Sequence, residues 1–169
     1  MSARDGDTLP QDPYDPHGTE RTPSLEQQET GIAAHWREWV VRWARGHGLH
    51  PVADPVSVSC GFELPDSGRT VTVRFMTTKK LLVAFMTDGR NLRADQLAVA
   101  AAAANAWNTE QLVPMLSVWD VRGPNPCIAG VCTLPLGCRM ERAEFDALAS
   151  DWAAQARQMF TRCHEVFAL

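Results

Sequence analysis

The sequence predicts an α+β fold in which helices pack against one twisted, mostly antiparallel five-stranded sheet. Five segments show the two-residue alternation of apolar and polar side chains that is typical of strands. They fall into a run of three and a run of two, and segments with helical spacing precede, separate and follow the two runs. Runs of strands interrupted by single helices are typical of α+β domains. The predicted order is α-β-β-β-α-β-β-α.

The chain of 169 residues is long enough for one domain with its own core. Residues 1–22 are rich in Pro, Asp and Gly and poor in aliphatic side chains, so we predict a disordered acidic leader there and one domain over residues 23–169. Residues 1–30 hold two arginines and seven acidic residues, whereas the remainder has 14 basic and 13 acidic side chains. A nearly neutral domain has no electrostatic footprint for nucleic acid, and we expect no such partner.

Membrane and secretory signals are absent from the sequence. No run of 18 apolar residues occurs, so we expect no membrane span. The N-terminus lacks the apolar stretch of a secretory signal. Five cysteines are an odd number in a chain that does not need disulfides to fold, which favours reduced thiols and a cytoplasmic location.

The first helix is predicted to begin near Ser24, where a capping-box pattern occurs, or after Gly31. Its apolar positions repeat every three or four residues, as one stripe of an α-helix requires: Ile32, Trp36, Trp39 and Trp43. Gly46 is expected to end it. The three tryptophans have two interpretations, which are core packing against the sheet and a partly open groove that binds protein, since Trp is enriched at binding hot spots.

Three strands are predicted next, at residues 56–64, 70–76 and 81–87. The turns between them are short, so the strands form an antiparallel meander. The third strand is almost continuously apolar and is expected at the centre of the sheet.

An alanine-rich helix follows, from about residue 91 to Trp107, in which Ala has the best intrinsic helix propensity. Small side chains allow a close approach of another backbone. We therefore expect the helix to pack on the sheet or to form a homodimer interface through Ala100, Ala103 and Trp107.

The fourth strand is predicted at residues 114–122 and the fifth at residues 127–136. Gly130 and Pro135 weaken the fifth strand and favour an edge position. A long amphipathic helix of roughly 25 residues completes the domain. Trp119, on the fourth strand, is grouped with Trp36, Trp39 and Trp43 as a candidate partner-binding residue.

The stretch Asn105-Ala-Trp-Asn108 is interpreted as a structural corner rather than a ligand site. Asn108 is expected to end the helix in a left-handed conformation, and Asn105 to bond backbone groups left free nearby. Trp107 would fill the joint between helix and sheet. Pro114 would open the next strand where no ladder donor is needed.

Motifs for catalysis or cofactor binding are missing. The sequence has no Gly-rich phosphate loop and no nucleophile elbow. Cys127, Cys132 and Cys138 have the spacing C-x4-C-x5-C, which is not that of zinc ligands. We therefore expect no catalytic residue, no metal, no cofactor and no enzymatic activity, and keep a redox sensor that uses one of these cysteines as a remaining alternative.

The element order over residues 30–169, together with the corner Asn105-Ala-Trp107-Asn108 and the strand from Pro114, resembles the YbjN-domain family. That family has a fold similar to the class I chaperones of type III secretion. The resemblance implies a small cytosolic protein, often dimeric, that binds another polypeptide and lacks an established active site. It leads us to expect a non-enzymatic, chaperone-like homodimer that binds a segment of a client. The alternative is an accessory subunit of a peptide-modifying biosynthetic complex.

Overall fold

The computed structural model of the protein describes residues 31–65 and 67–169. The elements follow the predicted order: α1 (Ile32–Gly46), β1 (Val52–Ala53), β2 (Ser57–Glu63), β3 (Thr70–Thr78), β4 (Leu81–Thr87), α2 (Leu97–Glu110), β5 (Met115–Trp119), β6 (Cys127–Pro135) and α3 (Arg142–Phe167). A 3₁₀ turn, Ala94–Gln96, leads into α2. The acidic leader and the helix start near Ser24 lie outside the described residues.

The strands form one antiparallel sheet in the order β1-β2-β3-β4-β6-β5. The α+β fold is confirmed, and the sheet has six strands rather than five because the two residues of β1 pair with β2. The central position of β4 is also confirmed, since it pairs with β3 and β6.

The prediction of β6 as an edge strand is wrong, because β6 lies between β4 and β5. Gly130 has a different role from the one we expected. A Cβ atom at this position would lie 2.6 Å from Met159 Cε and 3.3 Å from Pro114 Cβ. The missing side chain therefore lets α3 approach β6 closely.

The described helices pack on one face of the sheet. The ring of Trp43 on α1 lies 5.9 Å from that of Phe75, and Arg157 on α3 lies over the ring of Phe62. Alternate strand residues point to this face and are buried: Val58, Cys60, Phe62, Val71, Val73, Phe75, Leu82, Ala84, Met86, Leu116, Ile128, Cys132 and Leu134. Burial of these apolar side chains is the main driving force for folding.

The corner between α2 and β5 is tied by side-chain hydrogen bonds. Asn108 Nδ2 donates to the Leu116 carbonyl and Asn108 Oδ1 accepts from the Leu116 N–H, both at 2.9 Å. Trp107 Nε1 donates to the Pro114 carbonyl at 2.8 Å. The Asn105 carbonyl accepts from the Thr109 hydroxyl at 2.8 Å. The corner thus joins the last turn of the helix directly to the backbone of the strand.

Asn108 is not the left-handed cap that we predicted, because α2 continues to Glu110 and ends at Gln111 in an extended conformation. Instead, its amide pairs with both backbone groups of Leu116, as a neighbouring strand would. β5 is an edge strand, and such edges need protection against pairing with other chains. Trp107 and Asn108 provide that protection. The opposite edge, β1, is only two residues long and lies between Pro51 and Pro55.

None of the described helices combines the length and the apolar character needed to cross a membrane.

Candidate protein-binding surface

The face of β4, β6 and β5 that points away from the helices is the candidate site, and we call it the open sheet face. No described helix covers it. Thr87, Cys127 and Thr133 lie at its ends, and its central side chains belong to alternate residues of the three strands: Val83, Phe85, Ala129, Val131, Met115, Ser117 and Trp119. Met115 is 55% exposed and Trp119 is 47% exposed. The surface is therefore apolar and in contact with water.

The register of the strands brings the large side chains together. Phe85 is opposite Val131, which is opposite Met115, so these three form one row across the sheet. The ring of Trp119 on β5 meets that of Phe85 on β4 edge-to-face, with centroids 5.1 Å apart. This distance is favourable for an aromatic pair. The small Ala129 lies on the strand between them and is fully buried, so the two rings form a continuous ridge across β6.

Charge is absent from this part of the sheet. No residue of β4, β5 or β6 is Asp, Glu, Lys or Arg. Strands that are apolar on both faces normally have both faces covered, and monomers in water rarely expose large contiguous apolar patches. The open sheet face therefore has the character of a surface that a partner covers.

Charged residues begin on the neighbouring strands and border the open sheet face. Arg74 on β3 forms an ion pair with Asp54 at 3.2 Å. The Asp54 carboxylate also accepts hydrogen bonds from the Ser57 hydroxyl and from the backbone N–H groups of Ser57 and Val56. These hydrogen bonds hold the pKa of Asp54 well below its usual range, and the bond from the Ser57 hydroxyl has the largest effect. The β2–β3 half of the face thus carries fixed charge, which the apolar half lacks.

The four candidate tryptophans occupy different environments. Trp36 and Trp43 lie in the core with 6% and 3% exposure, and Trp43 Nε1 donates to Ser150 Oγ on α3 at 3.0 Å. Trp39 is half-buried against Phe145. Core packing is thus the role of Trp36 and Trp43 in this structure. Trp119 alone of the four belongs to the open sheet face.

A depression of about 360 Å³ lies between α1 and the strands β1 and β2, where the alternative interpretation placed a groove. Its lining consists of polar side chains and small apolar ones, without a tryptophan: Arg37, Glu38, Val41, Arg42, Arg45, Ala53 and Val58. The groove and the tryptophans are therefore separate features.

The proposed dimer residues need a correction, because Ala100, Ala103 and Trp107 are buried inside the chain itself, with exposures of 0%, 1% and 2%. This side of α2 packs against its own domain. The exposed side chains of Leu97–Thr109 carry no charge: Ala98, Val99, Ala101, Ala102, Asn105, Asn108 and Thr109.

Comparison with solved structures gives E. coli YbjN, with a TM-score of 0.61 at 11% sequence identity, over 76% of this chain and 90% of that chain. The fold is YbjN-like. This confirms the resemblance at the level of fold, which is all that 11% identity supports. No family model matches the chain, and the comparison with curated proteins gave no match. YbjN itself is described as a candidate transcription regulator.

In this YbjN-like fold, no two of the five cysteines form a disulfide. All five are free thiols. Cys127 lies on the open sheet face and Cys132 on the helix-covered face, so the two point to opposite sides of the sheet. Burial raises the pKa of Cys60 to about 11 and those of Cys132 and Cys163 to about 12. Burial is also the main cause of the raised pKa of Cys127.

Thiol labelling at pH 8 tests the burial of these thiols. We expect Cys60, Cys132 and Cys163 to stay unreactive towards Ellman's reagent in the native protein and to react on denaturation, because they are buried and protonated.

Their folded-state pKa values lie above the unfolded value, so the stability they contribute is complete below about pH 9 and is lost as the pH rises towards 11–12. Fast labelling of all five thiols would contradict the burial. Rapid formation of one defined disulfide under mild oxidant would support the redox alternative.

A polar cluster ties the end of α3 to the sheet. The Asp88 side chain is fully buried and its Oδ2 lies 2.9 Å from His164 Nε2 and 3.8 Å from Arg69 Nη1. Arg69 also donates to the Leu169 carbonyl at 3.1 Å. Within residues 31–65 and 67–169, no group of three ligand side chains has the arrangement of a metal site, and the cluster serves to fix the C-terminal helix.

Proposed function

We propose that the protein is a non-enzymatic, chaperone-like protein that binds a segment of a client polypeptide on the open sheet face. The observation that supports this proposal is the exposed face of three adjacent strands without a single charged residue. Removal of apolar surface from water contributes about 25 cal/mol per Å², so a client that covers Met115, Trp119 and their neighbours gains binding free energy there.

The shape and charge of the surface favour protein over other ligands. Small-molecule sites are concave and enclose most of their ligand, whereas the open sheet face is one side of a sheet. Nucleic acids require positive charge, and residues 31–169 carry nearly equal numbers of basic and acidic side chains. The balance of charge in residues 31–169 therefore gives no support for nucleic acid as the ligand.

The client-binding form is proposed to be a homodimer that acts in the cytoplasm. Leu97–Thr109 of α2 contains no charged residue, although the exposed side of a surface helix is normally polar. Val99 is 41% exposed, and the loop after the helix exposes Leu112 by 92% and Val113 by 47%. These residues give the outward side of α2 a second uncharged surface, separate from the open sheet face, which suits a second copy of the chain.

An accessory subunit of a peptide-modifying enzyme complex is the alternative function. It would use the same open sheet face, with an enzyme rather than a transient client as the bound protein. The identity and stoichiometry of the partner distinguish the two functions. A chaperone releases different clients, whereas a subunit co-purifies with one enzyme at a fixed ratio.

A matched pair of variants tests the binding surface. Met115→Lys places a charge at the β5 end of the apolar row, and Val166→Lys places the same charge on α3, where Val166 is 65% exposed. Burial of an unpaired charge costs several kcal/mol, so we expect Met115→Lys to bind client at least about tenfold more weakly and Val166→Lys to bind as the unmodified protein does. The measurement is quantitative mass spectrometry of proteins retained from native lysate by each form.

Equal retention by all three forms would overturn the proposed surface, as would a profile that matches an empty support. Light scattering on the same samples measures the oligomeric state. A monomer at all concentrations would contradict the homodimer. Circular dichroism confirms that both variants remain folded, as expected for substitutions of exposed residues.

A further inference from the structure

We infer that the open sheet face binds its client as an amphipathic α-helix of about 13 residues. The helix runs along β6, covers β4, β6 and β5, and turns an uncharged apolar side towards the sheet. The inference rests on the proposed function and specifies the kind of polypeptide that the surface binds.

Part of each sheet edge is already occupied, which hinders the addition of a client strand there. At β5, the two backbone groups of Leu116 are already paired with the Asn108 amide, and the Pro114 carbonyl is paired with Trp107. At the other edge, β1 has two residues and no room for an extended ladder. A client that covers the apolar side chains of the open sheet face lies on that face rather than at its edge.

A segment that lies on this face must satisfy its own backbone hydrogen bonds. The surface consists mainly of Val, Phe, Met and Trp side chains; its hydroxyls are that of Ser117 and those of Thr87 and Thr133 at its ends. Buried backbone groups without partners are costly. An α-helix pairs these groups within one segment, whereas an isolated extended segment leaves them unpaired.

The dimensions of the surface fit one helix. The three strands span two inter-strand spacings of about 4.8 Å, so the surface is about as wide as a helix, whose diameter is about 10 Å. Along β6, Cys127 to Thr133 covers about 20 Å at 3.3 Å per residue. A helix of about 13 residues has the same length at 1.5 Å per residue.

A second copy of the sheet fits this surface less well than a helix does. Two packed sheets cover each other over several strands, and on the same side β3 carries Arg74 and β2 carries Glu63. The ion pair between Arg74 and Asp54 would have to be buried, at a desolvation cost. A helix on β4, β6 and β5 leaves these charges in water.

The test uses two synthetic peptides of about 13 residues with identical composition, added to the full chain. One has apolar residues at helical spacing and the other has them in strict alternation. We expect the helical pattern to bind, to gain helical circular dichroism on binding, and to shift the methyl NMR signal of Met115. Calorimetry should give the same Kd for the unmodified protein and Val166→Lys, and a value at least about tenfold higher for Met115→Lys.

Each contrary result has a distinct meaning. Tighter binding of the alternating peptide, with the same sensitivity to Met115→Lys, would overturn the helical mode and leave the client-binding function in place. Binding of the helical peptide that Met115→Lys does not weaken would overturn the assignment to this surface. If neither peptide binds and Met115→Lys converts a dimer to a monomer in light scattering, the occupant is a second copy and the inference fails.

Discussion

Ala100→Glu is expected to unfold the protein, whereas Ala102→Glu, two residues further along the same helix, is expected to leave it folded. Ala100 is fully buried and Ala102 is exposed. A carboxylate forced into the core without a partner costs several kcal/mol, which is a large part of the 5–15 kcal/mol that typically stabilises a domain. Urea denaturation followed by circular dichroism measures the difference.

The same pair separates folding from assembly. If the outward side of α2 forms the dimer, Ala102→Glu places two like charges near the two-fold axis, and light scattering should show folded monomers. An unchanged dimer would locate the interface elsewhere. A native-like melting curve for Ala100→Glu would contradict the inward orientation of that residue.

The sequence did not predict which side of α2 is buried, and the reason is physical. Helix faces are read from the contrast between apolar and polar positions, and Ala100–Ala104 contains no such contrast. The first helix has that contrast, and its stripe of Ile32, Trp36 and Trp43 is buried as core packing requires. Periodicity therefore predicted the existence of both helices but the buried side of only one.

The strands show a similar division. Alternation and short turns predicted the order and the antiparallel meander of β2, β3 and β4. The positions of β5 and β6 in the sheet depend on contacts between residues distant in sequence. Gly130 suggested an edge strand, whereas in the structure its missing side chain allows close packing against Met159. The Asp88–His164 pair joins residues 76 positions apart and leaves no local pattern at all.

The apolar sequence of β4 already indicated the open sheet face. Leu81–Thr87 is almost continuously apolar, which predicts a strand covered on both faces. The structure covers one face with the chain's own helices. The outward residues Val83 and Phe85 are therefore apolar like the inward ones, but no described helix covers them. This uncovered apolar surface is the physical basis of the proposed function.

Asn108→Ala is expected to destabilise the protein by about 2 kcal/mol, since it removes two hydrogen bonds and leaves the N–H and C=O groups of Leu116 at the sheet edge without their partner. Asn105→Ala is the matched control, because Asn105 lies on the same helix with an exposed side chain. Alanine has the higher helix propensity, so this control should gain about 0.5 kcal/mol. Urea denaturation of both variants gives the two values.

The comparison also tests edge protection, because both variants receive the same helix-favouring residue and only one of them uncovers β5. An unprotected edge strand pairs readily with other chains, so Asn108→Ala should aggregate faster on incubation near its melting temperature, at equal fractions of unfolded protein. Equal stability and equal aggregation of the two variants would mean that water replaces the Asn108 amide without loss. In that case the β5 edge would be open to strand addition, and a client strand rather than a client helix would fit the sheet.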